Sequence, residues 1–180
     1  MAHVILQELQ YSISVDSSTF CKNQKEILIK NKLLDERRAK IKEGWGKQYK
    51  KRVHDKNKMT AHERVEFLAN SLQNILPLGT FVNYNQEFHD GYKSRTSPAA
   101  GVLTCLVKVC DRWCIIVAND NTVASGSWWP KTPEKIIRAQ DIALKLRIPI
   151  IYLVDCSGLF LPQQSKSFPG ASGAGNIFCK

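Results

Sequence analysis

The stretch WCIIVANDNTVASGSWWPKTPEKIIRAQDIALKLRIPIIYLVD, residues 113–155, constrains the fold more than any other part of the chain. It reads as an apolar strand, a polar loop, an amphipathic helix and a second apolar strand. Thr132 is a natural helix N-cap, Pro133 suits the first helical position, and Glu134 complements the helix dipole. The helix is predicted to run to about Arg147 and to bury Ile136, Ala139, Ala143 and Leu146. Pro149 ends it, and IIYLVD is an uninterrupted apolar strand of the kind covered on both faces. Strand, helix, strand in that order predicts a right-handed βαβ unit. Both strands end in polar, small-residue loops, NDNTVASGS and DCSG, and ligands in such folds gather outside the carboxyl ends of the strands.

Upstream, GVLTCLVKV reads as a further strand, joined by a turn at Asp111-Arg112 to WCIIVA. TAHE is a capping box, with Thr60 and Glu63 satisfying each other's orphan donors. The helix it opens is predicted to carry Val65, Leu68, Leu72, Ile75 and Leu76 on one face and to stop at Pro77 and Gly79. TFVNYNQEF reads as a short strand and HDGYKSRTSPAAG as a polar loop. Lys22 to Glu43 reads as a charged helix with Ile27, Leu34 and Ile41 spaced by seven. Gly44-Trp45-Gly46 breaks that pattern, and KKRVHDKNK reads as a solvated basic linker.

The charge is uneven. Of a net +10, the segment from Lys22 to Arg64 holds 15 Lys and Arg against 6 Asp and Glu. A wet helix face with a connector accounts for this. The functional alternative is attraction of an anion such as nucleic acid, an acidic partner or a phosphorylated cofactor. Nucleic acid is disfavoured, because only Trp45 and Tyr49 interleave the charges and no binding motif is present.

The 180 residues are 43% hydrophobic and 23% charged, which is globular composition. The start, MAHVILQELQYSISV, lacks a basic n-region and carries Glu8, so it is a poor signal peptide. No apolar run approaches the roughly 20 residues of a membrane span. A cytoplasmic location is expected. Cys105, Cys110 and Cys114 form no CxxC pair and have no neighbouring histidine, and strand geometry is expected to point them to different faces. No metal is expected.

Two features stand out as candidate sites. Trp128 and Trp129 sit in a short loop after Ser125-Gly126-Ser127, where they either wall a ligand groove or subunit contact, or cap the hydrophobic core beside the helix. Gly170, Gly173 and Gly175 precede an apolar helix start, and a glycine-rich turn feeding a helix presents backbone N–H groups to an anion. A flexible tail is the equal alternative. Neither GxGxxG nor a P-loop is present.

Asn119, Asp120, Thr122, Gly126, Ser127, Pro130, Lys131, Lys135, Arg138, Ala139, Ile142, Ala143, Pro149, Tyr152 and Asp155 fall in a particular order. They spell N-D-x-T, Gly-Ser, Pro-Lys-x-x-x-K, R-A-x-x-I-A and P-x-I-Y-L-V-D. In this the chain resembles the N-terminal half of the carboxyltransferase (beta-type) subunits of biotin-dependent acyl-CoA carboxylases. MTAHERVEFL looks like that family's T-A-x-E-R-I helix. Cys156-Ser157-Gly158, Pro162-Gln163-Gln164 and Phe168-Pro169 look closest to methylcrotonyl-CoA carboxylase and glutaconyl-CoA decarboxylase, rather than to the zinc-bearing bacterial acetyl-CoA carboxylase subunit. The resemblance covers roughly residues 58 to 178.

The resemblance implies an α/β, crotonase-like fold in residues 58–180, preceded by a basic helical extension and linker in residues 1–57. It implies an acyl-CoA substrate, biotin as carboxybiotin on a carrier domain, and a carboxyl transfer to or from the acyl α-carbon without a metal. By that analogy Ser125, Gly126, Ser127, Trp128, Trp129, Lys131 and Ser157 line the CoA side. Gly158, Leu159, Gly173, Ala174 and Gly175 supply backbone donors to a developing oxyanion. A C-terminal carboxyltransferase half, biotin carrier and biotin carboxylase subunits, and a homo-oligomer of the full-length form are the implied partners. The chain reads as a truncated or split gene product, inactive alone. A non-catalytic CoA-binding or assembly fragment is the competing reading.

Overall fold

The computed structural model describes residues 14–167, 170 and 173–179, and the Phe168-Pro169 motif lies outside them. The chain divides into two compact units, Met1–Arg37 and Arg38–Lys180. The polar helix α1 (Ser18–Lys42) accounts for most of the first unit's described residues. Of the seven-spaced stripe, Ile41 alone is buried, and it belongs to the second unit.

The second unit is built on a four-stranded sheet. Its strands are β1 (Ile75–Leu78), β4 (Val102–Val109), β5 (Arg112–Asn119) and β6 (Ile150–Leu153), in that spatial order. β1, β4 and β5 pair antiparallel, whereas β5 and β6 run parallel, with Ile115 opposite Ile150 and Ala118 opposite Leu153. The helix α4 (Thr132–Leu146) makes the crossover, so the predicted βαβ unit is present. Alternation along β5 explains the unbroken apolar run. Cys114, Ile116 and Ala118 face α3 (Ala61–Ala69), while Ile115 and Val117 face Ile136, Ala139 and Ala143 of α4. A strand covered on both faces has no polar side to show.

Several expectations need correction. Cys105 and Cys114 lie on the same face, under α3, and Cys110 occupies the hairpin turn. That turn is Cys110-Asp111 rather than Asp111-Arg112, with φ values of 45° and 63°, the doubly left-handed geometry whose twist suits a two-residue hairpin. The Thr60–Glu63 capping box forms as predicted, but its helix ends at Ala69, where Asn70 turns left-handed. Ile75 and Leu76 join β1 instead, because pairing with Val107 and Leu106 outweighs helical periodicity. Of the strand expected over TFVNYNQEF only the last two residues pair, in β2 (Glu87–His89), which forms a small hairpin with β3 (Ser94–Thr96) closed by Asp90 accepting from the Tyr92 and Lys93 amides and from Arg95 Nε.

The first five residues of the supposed linker KKRVHDKNK belong to the helix α2 (Lys47–His54), which buries Val53. Lysine, arginine and glutamine are good helix formers, and Tyr49 and Val53 share its inner face. β6 is an edge strand among the described residues, with Tyr152 40% and Val154 70% exposed, so it is not covered on both faces. Leu146, expected in the core, is also largely exposed. No described helix is long and apolar enough to cross a membrane.

Candidate functional site

The loop after β5 is held to the end of β6 by backbone contact. Ala124, Ser125 and Gly126 form a left-handed turn with φ values of 46°, 54° and 78°. A Cβ on Gly126 would stand far inside contact distance of the Asp155 carbonyl oxygen, so only glycine fits. The Asn119 side chain donates to the Gly126 carbonyl (3.2 Å), tying the turn back to β5.

Two further links register this loop on the Ser157–Leu159 turn. Ser127 Oγ and Ser157 Oγ are 2.8 Å apart, and both approach the Ala124 carbonyl. Trp128 then pairs with Leu159 as a parallel bridge, its N–H donating to Gly158 (2.9 Å) and its carbonyl accepting from Phe160 (2.8 Å). In such a bridge the N–H and C=O of Leu159 face away from Trp128. Gly158 has φ of 109° and open space where a Cβ would stand, and its own N–H reaches Cys156 Sγ (3.3 Å).

The two tryptophans separate. Trp129 is fully buried, stacked on Phe160 with centroids 3.8 Å apart and packed by Phe88 and Trp45. It caps a core cluster, so the groove-wall expectation does not hold for its side chain. Trp128 is half-buried and lines an apolar trough of about 720 Å³ with Ile136, Gln140, Tyr152, Cys156 and Ile177. Ser125 and Ser157 are exposed.

Lys131 is left-handed (φ 73°) and precedes α4, with Nζ on Glu134 (3.3 Å). It lines a different cleft with Leu78 and Arg138 and does not join the serine and tryptophan loops. Thr132 is not the cap. Its hydroxyl is turned inward, accepting the Trp129 N–H (2.8 Å) and donating to the Ala100 carbonyl (2.6 Å). Among the glycine-rich donors, the Gly173 N–H is spent on the Gly170 carbonyl (3.0 Å), so Gly173 is not free. Ala174 is buried in a short 3-10 turn, Ala174–Cys179, that Gln140 holds through the Ile177 carbonyl (2.8 Å).

Other residues surround the site without having been given a role in it by the sequence. Asp155 accepts from Asn121 (3.0 Å) and Lys58 (3.0 Å). Burial alone would raise its carboxyl, but those hydrogen bonds and the Lys58 and Arg64 charges prevail and hold it below the usual carboxylate range. Gly44 packs so closely on Thr122 that it leaves no room for a side chain, and Trp45 Nε1 donates to the Thr96 carbonyl (2.8 Å). The Gly-Trp-Gly break was the available signal for both.

The two interlocked small-residue loops stand at the carboxyl ends of parallel strands, where open α/β sheets bind their ligands. Residues 52–180 match the carboxyl transferase domain, and the chain belongs to that family. It is 38% identical over 143 residues to the uncharacterized carboxylase YngE of Bacillus subtilis, covering 79% of this chain and 26% of the relative. It is also 38% identical over 138 residues to the beta1 subunit of biotin-dependent 3-methylcrotonyl-coenzyme A carboxylase of Mycobacterium tuberculosis, covering 75% and 24%. Among solved structures, transcarboxylase 12S with methylmalonyl-coenzyme A bound superposes with a TM-score of 0.71 at 26% identity, over 83% of this chain and 28% of that one. The fold is thus crotonase-like, and the chain spans about a quarter of the length of these relatives.

Proposed function

We propose that this chain forms the acyl-CoA-binding part of a biotin-dependent carboxyltransferase, which moves a carboxyl group between carboxybiotin and the α-carbon of an acyl-CoA thioester. The observation that carries this reading is the Trp128–Leu159 bridge, which joins the two loops and turns the Leu159 amide outward beside an open glycine. Bond making or breaking at the α-carbon develops negative charge on the thioester oxygen. A preorganised backbone N–H stabilises that charge, and no nucleophilic side chain is needed. In this reading the Leu159 amide donates to the oxyanion and Gly158 permits the close approach. Gly126, Ser127, Trp128 and Ser157 wall the CoA side, with Ser125 at its exposed edge. Ala174 and Gly175 stay as candidates for a second donor. Carboxybiotin, when bound, supplies the carboxyl group and takes up charge on its ureido oxygen.

The relatives' greater length and the apolar trough beside the unpaired edge of β6 support completion of the site by further carboxyltransferase polypeptide, with carrier and carboxylase subunits as partners. The test is carboxybiotin-dependent turnover with and without a separately supplied carboxyltransferase C-terminal half. Turnover is expected only with both parts, alongside CoA binding by this chain alone. Leu159→Pro, in the assembled enzyme, is expected to lower turnover by about 10²–10³-fold. Turnover by the 180-residue chain alone, or an unaffected Leu159→Pro enzyme, would overturn the reading.

A further inference from the structure

Lys135 enters the protein from the first turn of α4 and is buried at 5% exposure. Its Nζ donates to the carbonyls of Ala99 (2.8 Å) and Val102 (2.7 Å), and no carboxylate lies within ion-pair distance among the described residues. The two carbonyls between them are also held. Ala100 accepts from Thr132 Oγ1 (2.6 Å), and Gly101 accepts from the Asp120 amide (3.0 Å). Every carbonyl from Ala99 to Val102 is therefore fastened by a donor from the segment 120–135.

These carbonyls are unusual in their conformation. Ala99, Ala100 and Gly101 are all left-handed, with φ values of 51°, 57° and 63°. For an alanine this costs about 1–2 kcal/mol, and such a turn persists only where its surroundings hold it. The turn is also the floor of the candidate loop. A Cβ on Gly101 would stand 2.9 Å from the Trp129 ring and 3.2 Å from the Ser127 carbonyl.

Burial alone does not account for a lysine here. An apolar side chain would fill the space without desolvating an amine, which burial pushes down to about 7, with Cys105 and Asp120 opposing. Without the amine the Ala99 carbonyl would keep the Val102 amide, but the buried Val102 carbonyl would lose its donor at a cost of about 1–3 kcal/mol, and even an uncharged amine keeps N–H groups for both.

We propose that Lys135 is a positioning residue for the 119–129 loop, its amine locking the Ala99–Gly101 turn on which Ser127 and Trp129 are seated. This rests on the reading of that loop as the acyl-CoA wall. The full chain carries the test, in Lys135→Met and Lys135→Arg forms, read by amide hydrogen exchange, chemical denaturation and titration with CoA. Lys135→Met is expected to speed exchange at the Asp120 and Trp129 amides by at least about tenfold relative to the Ile115–Val117 amides, because it removes the donors and keeps the volume. Lys135→Arg keeps donors, and cavities of about 210 and 180 Å³ on either side of Lys135 leave room for the guanidinium. It is expected to retain protection at both amides. CoA affinity should follow loop protection across the three proteins.

Unchanged exchange at Asp120 and Trp129 in Lys135→Met would overturn the proposal. So would an equal loss of protection across β5, which marks a purely structural lysine. Absence of CoA binding by the unsubstituted chain would instead reject the acyl-CoA reading, while the exchange result still decides the lock.

Discussion

The face of Gly126 on which a side chain would stand is pressed against the Asp155 carbonyl oxygen, with no space for a methyl group between them. The candidate loop and the end of β6 thus meet backbone to backbone, and the serine and tryptophan contacts follow from that approach. Gly126→Ala adds the clash to a φ of 78° and is expected to destabilise the chain by about 2 kcal/mol or more, read as a lower denaturant midpoint with an unchanged slope. An unchanged midpoint would show that the loop can lift away freely.

The tryptophans are predicted to behave oppositely. Trp129→Ala removes a fully buried indole from its stack on Phe160 and should cost about 3–5 kcal/mol. Trp128→Ala should cost less in stability and more in CoA affinity. Fluorescence offers a second check, because acrylamide should quench Trp128 and leave Trp129 shielded. Equal quenching of both single-tryptophan forms would contradict the buried position.

The order of elements from β4 to β6 was legible in the sequence because its periodicities are long and its helix is bounded by Pro133 and Pro149. The tryptophan loop was legible as a site, but the fate of each indole was not. Trp129 is buried by Phe88, Phe160 and Trp45, which come from three distant segments. The α2 helix was missed because lysines suit a wet connector and a helix equally, and the burial of Val53 and the packing of Tyr49 edge-on against Trp45 separate the two. The left-handed turn at Ala99-Ala100 carries no sequence signal at all, since alanine is not the residue that conformation favours.

Lys135 gives a pH signature with a definite sign. Its folded-state value lies near 7, against an ordinary 10.5, so between these limits the unfolded chain binds more protons than the folded one. Stability should rise as pH increases through that interval and lose this contribution as pH falls toward 7. Denaturation of the wild-type and Lys135→Met chains between pH 7 and 10 isolates the effect, as the difference in slope. Parallel curves would show that the amine keeps its ordinary proton affinity.

Truncation should discriminate the two compact units. Removing residues 1–37 is expected to leave a single cooperative transition, because the second unit begins at Arg38. Removing residues 1–57 also deletes Trp45 and Val53, and the transition should broaden and move to lower denaturant. Identical transitions for both deletions would place Trp45 outside the cooperative core.

The outer side of β6 has a consequence for handling the purified chain. Among the described residues its N–H and C=O groups form an unpaired rail flanked by Tyr152 and Val154, with no proline or lysine among Ile150–Leu153 to blunt it. Strand-to-strand addition is a hydrogen-bonding process, so raising salt to screen the chain's +10 net charge would remove the electrostatic barrier and leave the rail exposed to its own kind. Storage in dilute, low-salt solution follows from the geometry of that one edge.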